Sequence, residues 1–562
     1  MQFIKTTIKL LFFFLPIFMY AQSDYVPMWS KQGAIMDRLE IQMQTDSVLN
    51  FSAMRYRNRK WNTERVEHAL DLMKQRDWRF SRVDQYNFQQ VLMENLEWKR
   101  DQADTALQPM LFFKKNMFSK PFFAGVHNKN FTILAAPVLG FQTGGDNNVS
   151  ANLFQNTRGI VMRGMLGEKL GFYTYFTENQ ERNPLYVQQW VNRFNAVPGA
   201  GLFKRFRNDA YDYLDARGGI QFRAMKGIDM QFAYDRLFLG HGFRSLILSD
   251  FAQNYLFFKI NTRFWKFNYT NVFAQLTGSF RNSQQDGRLR PQKYMAMHHL
   301  DWQINKRLQI GLFEHVIFGR DNGYDWHYLN PMIFFLSAQQ QVGSPDKLTL
   351  GMNVKYNAFG QTQFYGQLVI NEFIANEVLN YKRGWWGNKH AAQLGVKTIN
   401  LFGIDNLDAQ VEFNWVRPFT FTHRDSIGDF SNYNQPLAHP LGANFREWLA
   451  VLKYQPLPKW HLQAKAMLVE QGLDSAGRNF GSNILVTYFQ RPREYGFRTG
   501  SGILGKTVMA NLSVSYELFP NTFLDAQYTY RRFSRPGLTT PFTTNWFSFG
   551  MRMNLRRREF DF

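Results

Sequence analysis

The last predicted strand, Thr544 to Leu555, constrains the fold more than any other stretch of this chain. Its side chains alternate between an apolar set and a mostly polar set. The apolar set, in which Asn545 is the only polar residue, is Phe547, Phe549, Met551, Met553 and Leu555. The other set is Trp546, Ser548, Gly550, Arg552 and Asn554. Successive side chains of a strand point to opposite faces, so one face of this strand is apolar and the other is mostly polar. A sheet that is apolar outside and polar inside is what an outer-membrane β-barrel requires.

Similar alternation recurs over most of the chain after residue 120. Residues 407–415, for example, carry Leu, Ala, Val, Phe and Trp at odd positions and Asp, Gln, Glu and Asn at even ones. Alternation and turn signals predict strands near 131–143, 157–166, 169–178, 217–226, 227–236, 253–265, 267–280, 293–305, 306–317, 347–358, 361–373, 388–400, 405–417, 445–455, 460–471, 505–518, 521–533 and 543–557. Many of them have ten or more residues, whereas the strands of soluble proteins average about five or six.

The predicted fold class is therefore all-β: a large antiparallel transmembrane β-barrel of about 18 strands over residues 121–562, with a small helical N-terminal region. The strand count is even, as bacterial barrels require. Hydrophobic residues make up 45% of the chain, yet the mean hydropathy is −0.39. No run after residue 21 approaches the roughly 20 apolar residues of a membrane helix. Alternation explains this combination, because averaging over a window hides it. A large soluble β-protein with an ordinary core is the alternative.

Residues 1–21 have the pattern of a cleaved secretory signal peptide. Lys5 and Lys9 supply the positive start, residues 10–20 the apolar run, and Ala21 a small residue at the cleavage point. An uncleaved anchor helix is the alternative, although the apolar run is short for it. The chain has no cysteine, which excludes a lipid-modified cysteine anchor and disulfides. Export together with a barrel predicts location in the bacterial outer membrane.

The formal net charge is +22, and loss of the two signal-peptide lysines would leave +20. Such an excess of positive charge is common in nucleic-acid-binding proteins. Export from the cytoplasm argues against nucleic acid as a partner. The acidic partners at an outer membrane are the phosphates of lipopolysaccharide and acidic surface polysaccharides. An alternative is that many of these charges are rim residues facing lipid headgroups.

Residues 22–120 follow a helical rather than a strand period. One predicted helix covers 35–43, a second starts at Asn62 or Thr63 and runs to Arg76, and a third starts at Ser81. We predict a helical region on the periplasmic side of the barrel. It would be a plug, a docking module for a protein of a gliding or secretion machinery, or a simple cap on the barrel mouth.

Short turns alternate with long connections along the predicted strands, as in outer-membrane barrels, so function is expected in the long loops or the lumen. Flat aromatic faces beside basic groups suit stacking on sugar rings and equally suit an interfacial aromatic girdle. A long loop with two prolines, residues 434–445, is expected to fold into the barrel. The candidate contacts for a polysaccharide are His241, Arg244, Trp385, Trp386, Asn434 and His439.

An enzymatic site and a metal site have weaker support in the sequence. Ser245 near His241 is the only local pair that resembles a serine hydrolase, and no strand-to-helix nucleophile turn surrounds it. Asp321, Asp325 and His327 share one loop, but their spacing matches no calcium loop. His298 and His299 are adjacent in a strand, so they face opposite sides and cannot share a metal without distortion. The sequence therefore predicts a non-enzymatic protein with no cofactor or metal.

Four stretches together resemble the Wzi-type capsule-assembly outer-membrane barrels, and within that family the branch that contributes to gliding motility. They are residues 240–246, 328–331, 343–346 and 434–445. The resemblance runs from about residue 120 to the end, and the helical N-terminal region matches the gliding branch only. It implies an eighteen-stranded barrel that helps to retain capsular polysaccharide or contributes to gliding, with no catalytic triad to transfer. A passive or gated channel is the alternative function.

Overall fold

The computed structural model describes most of the chain after the predicted signal peptide, which lies outside the described residues. The described residues are 25–27, 30–44, 53–54, 58–75, 79–100, 121–127, 130–167, 170–207, 209–280, 289–320, 323–341, 343, 346–372, 374–475 and 477–562. Among their helices, none has both the length and the apolar character needed to cross a membrane.

Eighteen long antiparallel strands form the body of the protein. They are β1 (Phe131–Asp146), β2 (Val149–Leu166), β3 (Leu170–Arg182), β4 (Ala210–Met225), β5 (Ile228–Asp235), β6 (Tyr255–Phe264), β7 (Phe267–Thr277), β8 (Gln292–Gln303), β9 (Leu308–Phe318), β10 (Lys347–Ala358), β11 (Thr362–Glu372), β12 (Lys389–Thr398), β13 (Leu407–Val416), β14 (Phe445–Leu457), β15 (Trp460–Leu473), β16 (Ile503–Phe519), β17 (Thr522–Ser534) and β18 (Phe542–Met553). All eighteen coincide with predicted strands, although β2 and β4 start eight and seven residues earlier than predicted.

The sheet closes on itself. Each strand pairs with the next along the chain, and β18 pairs back to β1 from Leu139↔Met553 to Asp146↔Trp546. Closure leaves no long edge whose backbone groups would lack hydrogen-bond partners in lipid. Short strands lie beside it: Ala124–His127 on β1, Phe203–Phe206 on β4, and Ser431–Asn432 with Gln435–Pro436 in a separate hairpin.

The predicted alternation is the alternation of outside and inside. On β18, Phe547 and Phe549 are 51% and 57% exposed, whereas Ser548 between them is 1% exposed. The same contrast separates exposed Leu512 from buried Ser513 on β16. The outer surface is therefore apolar and the lumen polar, which is the arrangement of a barrel in a membrane.

Three helices pack together at the end of the barrel that carries the short turns. They are α1 (Gln32–Met43), α2 (Arg59–Lys74) and α3 (Arg82–Glu94), followed by a 3-10 turn at Leu96–Trp98. The side chain of Asn58 caps α2, so the predicted start at Asn62 or Thr63 is too late. Ser81 caps α3 as predicted, in a reciprocal capping box with Asp84.

Ion pairs fasten these helices to the inner wall of the barrel. Lys31 bonds Glu517 at 2.5 Å and Glu97 bonds Arg163 at 2.5 Å. Further pairs join Arg38 to Asp408 and Glu40 to Lys355. The helical region therefore lies inside the mouth with the short turns, and we call it the plug.

The long connections at the other end contain most of the remaining helical turns. The helices are α4 (Leu185–Phe194), α5 (Phe335–Gln341) and α6 (Ala375–Leu379), with 3-10 turns at Trp326–Leu329, Tyr381–Arg383 and Tyr488–Gln490. One further 3-10 turn, Leu401–Gly403, lies in a short connection.

A cation on the outer face should destabilise the barrel. Phe549→Arg places a guanidinium among apolar side chains, which costs about 2–4 kcal/mol near the centre of a bilayer. We expect a lower urea midpoint for unfolding from lipid vesicles. Phe549→Leu keeps the face apolar and should unfold close to the wild type. Equal effects of the two substitutions would contradict the assignment of this face.

The plug should loosen when its buried cation is removed. Arg163→Met leaves the carboxylate of Glu97 buried without this partner, a loss of about 3–5 kcal/mol for buried pairs. We expect faster proteolysis of residues 25–100, and recovery in the double variant with Glu97→Leu. Arg158→Met on the same strand breaks an exposed pair with Glu178 and should leave the proteolysis rate unchanged.

Candidate functional site in the lumen and outer loops

Two long loops fold into the lumen instead of extending away from the barrel. Residues 236–254 and 417–444 share one buried apolar cluster, to which the first loop contributes Leu246 and Leu248 and the second Phe430 and Leu437. Ser249 N donates to Leu437 O at 2.7 Å, which joins the two loops directly. The predicted inward position of the proline-containing loop is therefore observed.

A chain of charged groups joins the two loops and the C-terminal residues to the inner wall at β14 and β15. The Arg244 guanidinium lies 3.4 Å from Glu447 and 3.2 Å from Asp561. His439 Nε2 lies 2.7 Å from the second carboxylate oxygen of Glu447. Lys465 Nζ bonds Asp561 at 2.9 Å. Cations and anions therefore alternate along the network, which allows several charges to be buried together.

Glu412 on β13 holds the first inward loop against the wall. Its carboxylate accepts hydrogen bonds from Phe243 N at 2.7 Å and Arg244 N at 3.1 Å. The hydroxyl of Tyr365 donates to the same group at 2.9 Å. The backbone at Arg244 is thereby fixed, and its side chain is directed toward Glu447 and Asp561.

The environment sets the charge state of the loop and tail groups. Burial lowers the pKa of His439 and outweighs the opposing effect of the Glu447 carboxylate. Burial opposes the charge of Arg244, but Asp561, Glu447 and Glu412 outweigh it and raise the pKa of Arg244. Burial likewise opposes ionisation of Asp561, yet Arg244 and Lys465 hold its pKa below the usual value.

The chain after β18 turns back into the lumen, which the sequence analysis did not predict. Arg558 bonds Glu181 at 3.0 Å, and Tyr186 OH donates to Phe560 O at 2.7 Å. The ring of Phe562 lies 5.6 Å from that of Trp190 on α4. Residues 554–562, the lumen tail, therefore connect the charged network to a helix of an outer loop. The Arg556-Arg557-Arg558 run, followed by Glu559 and Asp561, is a signal in the sequence that could have indicated buried pairing.

Cavities lie on both sides of the lumen tail. One, of about 250 Å³, lies against the wall of β2–β6 and is lined by tyrosines and arginines that include Tyr173, Tyr213 and Arg217. The other, of about 320 Å³, lies against helices α1 and α3. Arg556 and Arg557 line both cavities, so the tail separates two polar spaces within one lumen.

A cluster of rings and cations joins two outer loops, 373–388 and 474–502. The Trp386 ring packs 4.7 Å from Tyr488, with the Arg491 guanidinium 4.2 Å from its centre. Lys389 Nζ lies 4.6 Å from the same ring, and Trp386 Nε1 donates to Glu494 at 2.6 Å. Cation–π contacts and this hydrogen bond therefore hold the loops together.

Beside this cluster, rings and a cation lie on the surface of the same two loops. Phe489, Tyr381 and Tyr495 are 67%, 44% and 40% exposed. The Arg383 guanidinium lies 4.4 Å from the centre of the Tyr495 ring, and its side chain is half-exposed. We call Tyr381, Arg383, Phe489 and Tyr495 the outer platform. These residues carry no distinguishing signal in the sequence, because Tyr, Phe and Arg are common and no local pattern shows which of them a loop buries.

The six candidate contacts lie in three places. Arg244 and His439 meet at Glu447, and His241 is buried in the same loop as Arg244. Asn434 is buried elsewhere, where it accepts from Phe280 N and donates to Phe194 O.

The two tryptophans lie in the outer cluster. Trp386 is buried and Trp385 is half-buried. The hydrogen bonds of a buried side chain such as that of Trp386 join parts of the protein and hold the loops together. A ligand contact at any of the six candidate residues stays a prediction.

The hydroxyl of Ser245 is hydrogen-bonded to the backbone of its own loop. It donates to Leu239 O at 2.5 Å and accepts from Ile247 N and Leu248 N at 3.1 and 3.2 Å. These bonds stabilise a turn and use the oxygen that a nucleophile would need. Within the described residues, no group of three His, Asp or Glu side chains could hold a metal ion. Asp321 lies outside those residues, and Asp325 pairs with Arg320 and His327.

A closed eighteen-stranded antiparallel barrel with an apolar outside and a polar, occupied lumen has the fold of the outer-membrane β-barrels. No protein-family model and no curated protein sequence matches the chain. Among solved structures it is similar to Wzi of Escherichia coli, an outer membrane protein described as a carbohydrate-binding β-barrel involved in group 1 capsule assembly. The identity is 12% and the TM-score 0.54, over 95% of this chain and 99% of Wzi.

Two other solved structures align less well. OprD of Pseudomonas aeruginosa is 10% identical with a TM-score of 0.41, over 75% of this chain and 94% of OprD. OccAB2 of Acinetobacter baumannii is 10% identical with a TM-score of 0.40, over 76% and 99%. At 12% identity the likeness to Wzi concerns the fold alone. The two weaker structural alignments carry no argument. The expected resemblance to Wzi-type barrels is supported at that level, and the gliding branch stays a prediction.

Removal of the Arg244 cation should release the lumen tail. Arg244→Met leaves Glu447 and Asp561 buried without this partner, and breaking a buried pair costs about 3–5 kcal/mol. We expect faster proteolysis after residue 553 in detergent-solubilised protein. The control is Arg446→Met, an exposed arginine on β14. Unchanged proteolysis in Arg244→Met would mean that the network does not hold the tail.

Proposed function

We propose that this protein is a non-enzymatic outer-membrane barrel that binds acidic surface polysaccharide at its outer loops and helps to retain it at the cell surface. The observation that carries the proposal is the outer platform, where exposed aromatic rings stand beside a half-exposed arginine. Aromatic faces stack on the apolar faces of sugar rings, and a guanidinium pairs with carboxylates through two parallel hydrogen bonds. A formal net charge of +22 favours acidic over neutral glycans.

The occupied lumen favours binding over conduction. The helical plug, the two inward loops and the lumen tail all lie across the path that a solute would take through a porin. Their buried ion pairs and hydrogen bonds argue for permanent positions. A channel is the second candidate, and the two polar cavities beside the tail are the observation in its favour.

Further support comes from the fold. Wzi is described as a carbohydrate-binding barrel for capsule assembly, and its fold extends over nearly the whole of this chain. The finer form of our proposal places the protein in capsule retention or in a gliding or adhesion apparatus. The exposed side of α2, which includes Glu64 and His68, would then contact a protein of a gliding or secretion machinery. Rim cations would contact the phosphates of lipopolysaccharide.

Glycan binding should depend on the outer platform. In barrels reconstituted in nanodiscs, we expect the host's acidic surface polysaccharide to bind in a salt-sensitive way. The double variant Arg383→Ala with Phe489→Ala should weaken binding at least about tenfold, which is about 1.4 kcal/mol. Trp265→Ala and Phe402→Ala together remove exposed rings from the short-turn end and should leave the affinity unchanged.

Two results would contradict glycan binding as the function of the barrel. One is the absence of binding to any acidic glycan of the host at low salt. The other is a large and stable conductance of the wild-type barrel in planar bilayers, which would favour the channel. Replacement of Ser245 by Ala should not affect glycan binding, and a glycan-cleaving activity lost on that replacement would make the protein an enzyme.

A further inference from the structure

The outer face of strands β6–β10 carries a second layer of protein. On β8, Lys293 Nζ bonds Asp429 of the inward-folded loop at 2.6 Å, so the odd-numbered residues of this strand face the lumen. Tyr294 and Ala296 therefore face outward, yet both are buried. They are covered by residues 323–341, which we call the outer-wall segment. Its Tyr328, Phe335 and Ala338 pack in one cluster with outward residues of β7, β8 and β9.

The outer-wall segment reaches past the middle of the barrel wall. The Phe335 ring stacks on His298 at 4.0 Å, and Phe335 N donates to Glu314 at 3.1 Å. His298 and Glu314 are directly opposite each other near the middle of β8 and β9. Farther along, Tyr269, only two residues from the short-turn end of β7, donates its hydroxyl to Pro331 O. The segment thus descends along the wall from the end with the long loops.

The covered polar pair explains why the segment is needed. His298 Nδ1 lies 3.0 Å from Glu314. Both residues interrupt outward rows that are otherwise apolar or aromatic over residues 294–302 of β8 and 308–318 of β9. Charged side chains on the lipid face of a barrel are costly near the membrane centre. Beneath the segment, His298 and Glu314 are only 5% and 7% exposed.

The surface of the segment continues the apolar band of the barrel. Leu350, directly opposite Glu314 on β10, is 40% exposed, and Leu312 is 56% exposed. On the segment itself, Met332, Phe334 and Leu336 are 81%, 77% and 50% exposed. These side chains belong to the stretch that lies against the wall at the height of His298, beside the lipid-facing band.

We propose that the outer-wall segment lies inside the membrane and binds lipid hydrocarbon chains, with Met332, Phe334 and Leu336 as the contact surface. It screens the His298–Glu314 pair from the bilayer and takes the place of lipid on one side of the barrel. This surface is independent of polysaccharide binding.

Single-cysteine spin labelling tests the proposal directly, because the chain has no cysteine of its own. Labels are placed by Phe334→Cys on the segment, by Phe549→Cys on the lipid-facing band and by Phe489→Cys on an outer loop. In lipid vesicles, collision with oxygen is compared with collision with a water-soluble nickel chelate. We expect the oxygen-to-nickel ratio at residue 334 to match that at 549 and to exceed that at 489 several-fold.

Two outcomes would overturn the proposal. A ratio at residue 334 equal to that at 489 would place the segment in water. A label at 334 that neither reagent reaches would mean that protein, not lipid, covers this surface. A second measurement tests the anchor: Glu314→Leu removes the acceptor for Phe335 N and should increase the mobility of the 334 label. Leu312→Ala on the same strand should leave that mobility unchanged, and equal effects would contradict anchoring by the pair.

Discussion

The closed hydrogen-bond ladder is the constraint on which the rest of the structure depends. A membrane offers no partner for backbone N–H and C=O groups, so strands in lipid must pair on both edges. Pairing of β18 with β1 meets this requirement. Closure also divides every strand into outward and inward residues, because side chains alternate. Glu412 and Glu447 are thereby placed inside, where loops reach them, while Phe547 and Phe549 lie outside.

The plug, two loops and the lumen tail occupy the lumen, and charged side chains hold each of them. The plug enters from the short-turn end, two loops enter from the opposite end, and the lumen tail lies between them. Arg244 is the point at which the loops and the tail meet, since it contacts both Glu447 and Asp561. These contacts hold the inward parts of the long loops in a fixed arrangement within the lumen.

Much of the fold was predictable, and less of the candidate site. Strand periodicity is a local property, so all eighteen strands were found, and the capping residue Ser81 marked the start of a helix. The two prolines of residues 434–445 indicated an inward loop. The candidate ligand contacts were harder to predict. Trp386 and His439 were chosen for the chemistry of their side chains, and the structure buries both. Burial of a loop side chain depends on segments distant in sequence: Glu494 and Tyr488 bury Trp386, and Glu447 holds His439.

The sequence by itself determined the architecture: alternation over ten or more residues specifies a half-apolar strand, and eighteen such strands specify a closed barrel. It also determined that His298 and His299 face opposite sides, as their contacts with Glu314 and Asn353 show. Only the tertiary structure decided what covers each face. His298 is an outward polar residue that a bilayer would disfavour, and residues 323–341 cover it. Contacts between distant segments leave no periodic signal, because they depend on where long loops fold and not on the local repeat of the backbone.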